Sequence, residues 1–128
     1  QNSLMLKQPP FIKSIQYALR GLAVAYKAER SFRLQAFAAV LVIATVFIFP
    51  LQTWERSVLL LVAMSVLVLE LLNSSVERMV DLVKPRLHEY VADIKDIMAG
   101  AVLLAALFAL LLAVIILGPH VMIFIRSL

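Results

Sequence analysis

Charge is absent from three long stretches of this chain: Ala36 to Leu51, Ser57 to Leu69 with Glu70 arriving only near its end, and Ile97 to Leu117, the longest and most apolar. Crossing the hydrocarbon core of a bilayer takes about 20 apolar residues. The first stretch is short, so Phe32 to Gln35 are expected to complete it, giving spans at about 33–51, 57–72 and 97–117. Inside lipid no water satisfies open backbone groups, which leaves helices as the form of all three. Ahead of them, Phe11, Ile12, Ile15, Ala18, Leu19, Leu22 and Tyr26 recur at helical spacing, while Lys13, Ser14, Gln16, Arg20 and Lys27 take the other positions. That pattern predicts an amphipathic helix over about residues 11–30 lying at the interface, with Pro9 and Pro10 fitting its first turn. Residues 1–10 read as a loose terminus. The expected architecture is an all-α membrane protein, one domain over 11–128, with an N-terminal amphipathic surface helix plus three transmembrane helices.

Composition agrees. Hydrophobic residues fill 63% of the 128 positions, 16% are charged, and the mean hydropathy is +0.98, too apolar for an ordinary soluble domain. With no cysteine, disulfides and thiolate metal sites are excluded. The formal charge of +4 comes from basic residues that flank the spans, so it does not point to nucleic acid. Six Lys or Arg precede the first span, one lies in the first connection, four in the second and one after the third. The positive-inside rule then places the N-terminus and the second connection in the cytoplasm. The first long apolar run begins only after Arg33, which is not the pattern of a cleavable secretory signal.

Candidate chemistry gathers at the end of the second span. Glu70, Asn73, Glu77 and Asp81 are spaced three, four and four, which at about 100° per residue stacks them on one helical face. A carboxylate entering hydrocarbon costs roughly 2.5 kcal/mol or more, so an acidic stripe there calls for a cation to hold or a proton to move. The plainer reading is a solvated face paired with Arg78, Lys84 or Arg86, with Asn73 as an interhelical hydrogen-bonding group. Glu70 resists that reading because Leu67 to Leu72 is otherwise wholly apolar. Pro85 is expected to end this helix. His88, Glu89, Asp93, Lys95 and Asp96 then lead into the last span, and His88, Lys95 and Asp96 share a face if Leu87 to Asp96 is already helical. Lys95 and Asp96 fit equally an interfacial anchor and a helix-start charge. No phosphate-binding glycine loop, kinase catalytic-loop motif or dinucleotide fingerprint is present.

Glu29-Arg30-Ser31-Phe32-Arg33, Glu70-Leu71-Leu72-Asn73-Ser74-Ser75-Val76-Glu77, then Asp81, His88, and Lys95-Asp96 followed by Ala99-Gly100-Ala101-Val102 together resemble the small bacterial membrane lipid kinases, diacylglycerol kinase and undecaprenol kinase, over roughly Phe11 to Leu117. The resemblance implies a homotrimer in the bacterial inner membrane, with cytoplasmic active sites shared between subunits, ATP and Mg²⁺ as cofactors, and a lipid alcohol as substrate. It carries Glu70 over as general base, and Glu29 and Glu77 as ligands of the metal that escorts ATP. Tyr17, Glu29, Asn73, Glu77, Asp81, Arg86, His88, Lys95 and Asp96 match positions around the nucleotide. Ser31, Phe32, Arg33, Gln35, Glu70 and Ala99 fall where the lipid is expected. Two departures stand out: Pro10 sits where the diacylglycerol branch tends to carry a basic residue, and Ala99 replaces a serine of that branch. Leu69 to Asn73 and Ala99 to Val102, with no tryptophan in the surface helix, lean towards the undecaprenol branch.

Phosphoryl transfer requires these residue types on its own account. It is mostly positioning and charge neutralisation, so it needs oxygen ligands for Mg²⁺, a cation near the phosphates and a base aligned with the attacking hydroxyl. Glu29 with Glu77 can supply the first, Lys95 or Arg33 the second and Glu70 the third. The rival is a small oligomeric cation- or proton-coupled transporter with Glu70 as its coupling carboxylate. A transporter prefers that carboxylate near the bilayer midplane, whereas this stripe runs from the membrane edge outwards. A structural subunit would leave the stripe unexplained.

Overall fold

The computed structural model describes residues 10–84, 86 and 88–128, with only the backbone of His88. The loose terminus expected for 1–10 therefore lies, apart from Pro10, outside the described residues, as do Pro85 and Leu87. Four helices follow one another: α1 (Phe11–Ala28), α2 (Arg30–Ile48), α3 (Thr53–Val83) and α4 (His88–Arg126). The last three are long and apolar enough to cross a membrane.

Of α1, only Ala25 is buried, and Phe11, Ile12, Ile15, Leu19 and Leu22 stay uncovered by the rest of the chain, as a helix resting on lipid requires. A single extended residue, Glu29, separates α1 from α2: its N–H donates to the Ala25 carbonyl at 2.9 Å and its carbonyl accepts from the Arg33 N–H at 3.2 Å. The Arg33 guanidinium turns back to donate to the carbonyls of Tyr26 and Lys27, at 2.8 and 3.1 Å. It thereby satisfies carbonyls that the end of α1 leaves open.

The connections from α2 to α3 and from α3 to α4 are short, so the three long helices alternate in direction. Ser31 meets Glu70 at one end of the α2–α3 pair, and Val46 packs with Leu59 towards the other. Likewise Asp81 meets Lys95 at one end of α3–α4 and Glu55 meets His120 at the other. At 31 and 39 residues, α3 and α4 run about 46 and 58 Å, well beyond a hydrocarbon thickness of about 30 Å. Their charged ends, with Asp81 and Lys95, therefore project past the apolar slab.

α3 is the central helix, packing on α2 and α4 and touching α1. Little apolar driving force acts between helices in lipid, so close approach rests on small side chains and shape: Ala39 of α2 and Ala63 of α3 are buried between them. Val46, Leu51, Leu59 and Ile116 form a tight cluster away from the acidic end. That far end is further fastened. The Gln52 N–H donates to Glu55 Oε1 at 2.9 Å, Arg56 Nε donates to the Val46 carbonyl at 3.0 Å, His120 Nε2 stands 3.3 Å from Glu55 Oε2, and Phe49 meets Phe124 edge to face. The acidic end thus hangs from a fixed frame.

Lys95 Nζ lies 2.6 Å from Asp81 Oδ1, joining the projecting ends of α3 and α4. The hydrogen bond from Lys95, and then its charge, hold the Asp81 carboxyl below the usual carboxylate range, and the same hydrogen bond raises the Lys95 ammonium. A lowered acid contributes stability above its unfolded pKa of about 3.9 and loses it as pH falls through the folded value, and a raised lysine loses its share only above about pH 10.4. The bridge therefore holds across neutral pH. We expect Asp81→Asn to lower the unfolding temperature between about pH 5 and 9, with the gap from wild type closing on acidification below the Asp81 folded value. A gap that persists at low pH would show that the aspartate acts by something other than this ion pair.

Candidate active site

Glu70 follows the charge-free run of α3 and is only 5% exposed. Ser31, one residue into α2, donates its hydroxyl to Glu70 Oε2 at 3.2 Å. The other oxygen accepts no hydrogen bond among the described residues. One turn further along α3, the Ser74 hydroxyl donates to Glu29 Oε1 at 3.0 Å. The single-residue corner between α1 and α2 thus points Glu29 at the stripe, where Ser74 holds it. Glu29 and Glu70 are thus each held by a serine near the start of α2, whose positive end favours negative charge, and Glu77 follows on the same face of α3.

None of Glu29, Glu70 and Glu77 has a basic partner within 4.0 Å among the described residues, where the ion pairs are Lys95 with Asp81 and His120 with Glu55. Between Glu70 and Glu77 on the same face, Asn73 Oδ1 is buried without a hydrogen-bond partner, which costs about 1–3 kcal/mol when left unmet. Carboxylates without a basic partner among the described residues, beside an unmet acceptor, describe a site shaped for something cationic or hydrogen-bonding. No three metal-ligating side chains converge on one point among the described residues. Mg²⁺ takes only one or two carboxylates and draws its remaining ligands from phosphate and water, so a site with fewer than three protein ligands is compatible with it.

The other residues singled out in the sequence are spread over several places. Asp81 and Lys95 sit together on the outward continuation of the stripe. Phe32 is buried beside Ser31 and Arg33 is bound to the end of α1. Gln35, one turn below Ser31, opens an apolar cavity of about 230 Å³ between α2, α3 and α4, with Ala63 and Val66 of α3 on its wall directly beneath Glu70. Tyr17 is on a different surface: with Arg20, Ser74, Ser75 and Arg78 it lines a cavity of about 640 Å³ between α1 and α3. Arg86, Asp96 and Ala99 are exposed, and neither Arg86 nor Asp96 enters an ion pair among the described residues, while the side chain of His88 lies outside the described residues. α4 is already helical from His88, so Lys95 and Asp96 stand on a helix as expected.

Ser74 was missed as a functional residue, although its position four after Glu70 puts it on the stripe. The Glu55–His120 contact was missed too, since 65 positions separate its members.

A profile of the family described as prokaryotic diacylglycerol kinase matches residues 16–117. The chain is 38% identical over 112 residues to the diacylglycerol kinase of Synechocystis sp., covering 87% of this chain and 64% of that longer protein. It is 33% identical to the undecaprenol kinase of Bacillus subtilis and 31% identical to the diacylglycerol kinase of Escherichia coli strain K12, each over 109 residues, 85% of this chain and 89% of the relative. The fold, the three apolar helices and these matches agree, and the chain belongs to the prokaryotic diacylglycerol kinase family, a family of membrane lipid kinases.

Proposed function

We propose that this protein transfers the γ-phosphoryl group of ATP to the hydroxyl of a membrane lipid alcohol, diacylglycerol or undecaprenol, on the cytoplasmic side of the bacterial inner membrane. The observation that carries the reading is Glu70: a buried carboxylate at the membrane edge, one oxygen fixed by Ser31 and the other unpartnered, above an apolar crevice. A lipid hydroxyl presented there has its chain in the apolar phase and its oxygen beside a base.

Glu70 takes the hydroxyl proton as the oxygen bonds to the γ-phosphorus, and the bond to the β–γ bridging oxygen breaks, releasing ADP. Ser31 fixes the carboxylate so that little reorientation is needed, which matters where positioning dominates the rate. Glu29 and Glu77 would hold the divalent metal, which neutralises phosphate charge. Asn73 offers its unmet carbonyl oxygen to a nucleotide donor. Lys95, steered by Asp81, carries positive charge along the nucleotide face, with Arg86, His88 and Asp96 around it. The relatives bear both substrate names, and either lipid presents one hydroxyl at the interface.

Glu70→Gln keeps the shape of the side chain and should preserve ATP binding while turnover falls by about 10² to 10⁴. Phosphate transfer from radiolabelled ATP into extracted lipid, with each alcohol offered separately, reads this out. Near wild-type transfer would remove Glu70 as the base, and absence of lipid product with both alcohols in wild-type protein would remove the kinase reading.

Glu77→Gln deletes one metal ligand, so its activity should need several-fold more Mg²⁺ and be partly restored by it. An unchanged Mg²⁺ dependence with unchanged turnover would dismiss Glu77 as a ligand.

Three slender spans enclose little around a nucleotide, and we assign the working unit to a homotrimer with sites between subunits. Inactive Glu29→Gln and Glu70→Gln chains should then regain part of the activity when mixed in one oligomer. Mixed trimers verified by mass and wholly inactive would place each site within a single chain.

A further inference from the structure

The stretch matched by the family ends at Leu117, and α4 continues beyond it to Arg126. Gly118 and Pro119 begin that extension. Proline has no N–H to give the Ile115 carbonyl, and glycine is a poor helix former, so the helix is weakest at this point. Nothing packs within 4 Å of the Cβ position at Gly118. Two contacts with other helices fix where the extension lies. His120 Nε2 stands 3.3 Å from Glu55 Oε2, and the Phe124 ring meets Phe49 edge to face with centroids 6.1 Å apart. The carboxylate is aimed for the first contact, because its other oxygen accepts the Gln52 N–H at 2.9 Å. Both side chains are largely withdrawn from solvent, His120 being 22% and Glu55 12% exposed. Neighbouring charges do not compete. Arg56 turns to the Val46 carbonyl and forms no ion pair among the described residues. α2 has no titratable side chain after Arg33, nor has the connection to α3. Arg126, the next charge on α4, lies about 120° round the helix and about 9 Å further along it.

We propose that this extension of α4 is a pH-sensitive latch on the end of the bundle remote from the candidate active site, closed by the protonated imidazole of His120 on the carboxylate of Glu55. Histidine is the side chain whose charge ordinarily changes between about pH 5 and 8, where a glutamate is already ionised. A neutral ring offers the carboxylate an ordinary hydrogen bond or, as the other tautomer, a lone pair that repels it. A protonated ring donates from both nitrogens, and the contact becomes charge-assisted and roughly twice as strong. Closure is therefore favoured as pH falls through the imidazole range, and that share is lost as pH rises through it. Release has a defined place, at Gly118 and Pro119. It also has a defined consequence: Phe124 braces Phe49, which packs on the cluster of Val46, Leu51, Leu59 and Ile116, and Leu59 is shared with the wall of the apolar cavity between α2, α3 and α4. With the acidic end in the cytoplasm, as proposed above, the latch answers to the pH on the other side of the membrane. Its chemistry does not depend on the kinase reading.

The chain has no cysteine, so Thr53→Cys and Ser127→Cys, both at exposed positions, carry spin labels at unique places on α3 and on the extension. Labelled full-length chains diluted into unlabelled ones, in lipid nanodiscs, report the distance within one chain by pulsed dipolar spectroscopy. Between about pH 8 and 5.5 the ratio of the short distance to the longer ones should rise about tenfold, the gain expected when a neutral hydrogen bond becomes charge-assisted. His120→Gln in the labelled chain should abolish the pH response, and so should Glu55→Gln, which keeps an acceptor but not the charge. His120→Lys, charged throughout this range, should hold the short distance at both ends of it. A wild-type distribution that does not change with pH would overturn the latch. So would a pH response that survives His120→Gln. Should Glu55→Gln fail to fold through loss of the Gln52 contact, the two His120 variants alone decide between these outcomes.

Discussion

A carboxylate kept in a nearly dry place, Glu70 at the membrane edge of α3, is the constraint around which this end of the molecule is organised. Burying such a group is costly unless its hydrogen-bonding needs are met, and here only one of its oxygens is met, by Ser31. The remaining demand is left to whatever enters the site. The same economy recurs at Asn73, whose carbonyl oxygen is buried and unpaired among the described residues. A protein folded for stability alone would have placed leucines there. Local violations of packing rules of this kind are expected where a chain must bind and react.

What tolerates the violation is the frame at the other end. Leu59 and Val46 are essentially fully buried, and the contacts of Arg56, Glu55 and His120 tie α2, α3 and α4 together beyond them. The corner at Glu29 transmits that rigidity to α1. With one non-helical residue between two helices and Arg33 bound across the turn, the approach of α1 to α3 is narrowly set. This geometry brings Glu29 to Ser74 and opens the cavity between Arg20 and Arg78 beside it.

The spans were legible because lipid imposes so simple a demand. Each crossing helix must satisfy its own backbone and show apolar side chains nearly all round, which leaves an uninterrupted apolar run in the sequence. The stripe was legible for the converse reason, since acids at helical spacing beside such a run have few inexpensive explanations. The pairing of Asp81 with Lys95, by contrast, depends on the antiparallel return of α4. By sequence alone, Arg78, Lys84 and Arg86 are equally available partners for the acids. Arg33 could be counted as a phosphate-binding cation, yet it is engaged with the end of α1.

By itself, then, the sequence determined the all-helical form, the three apolar crossings, the surface helix and the face shared by Glu70, Asn73, Glu77 and Asp81. All of these follow from periodicity within one segment and from the solvent that surrounds it. Only the tertiary structure decided which groups from different segments meet: Ser31 with Glu70, Ser74 with Glu29, Lys95 with Asp81, and Tyr17 and Arg20 facing Arg78 across a shared cavity. Helical spacing fixes the direction of a side chain about its own axis, but not the rotation or height at which two helices pack. Those are set by the fit of small residues such as Ala39 and Ala63 and by the corner at Glu29, and they become definite only once the helices are in contact.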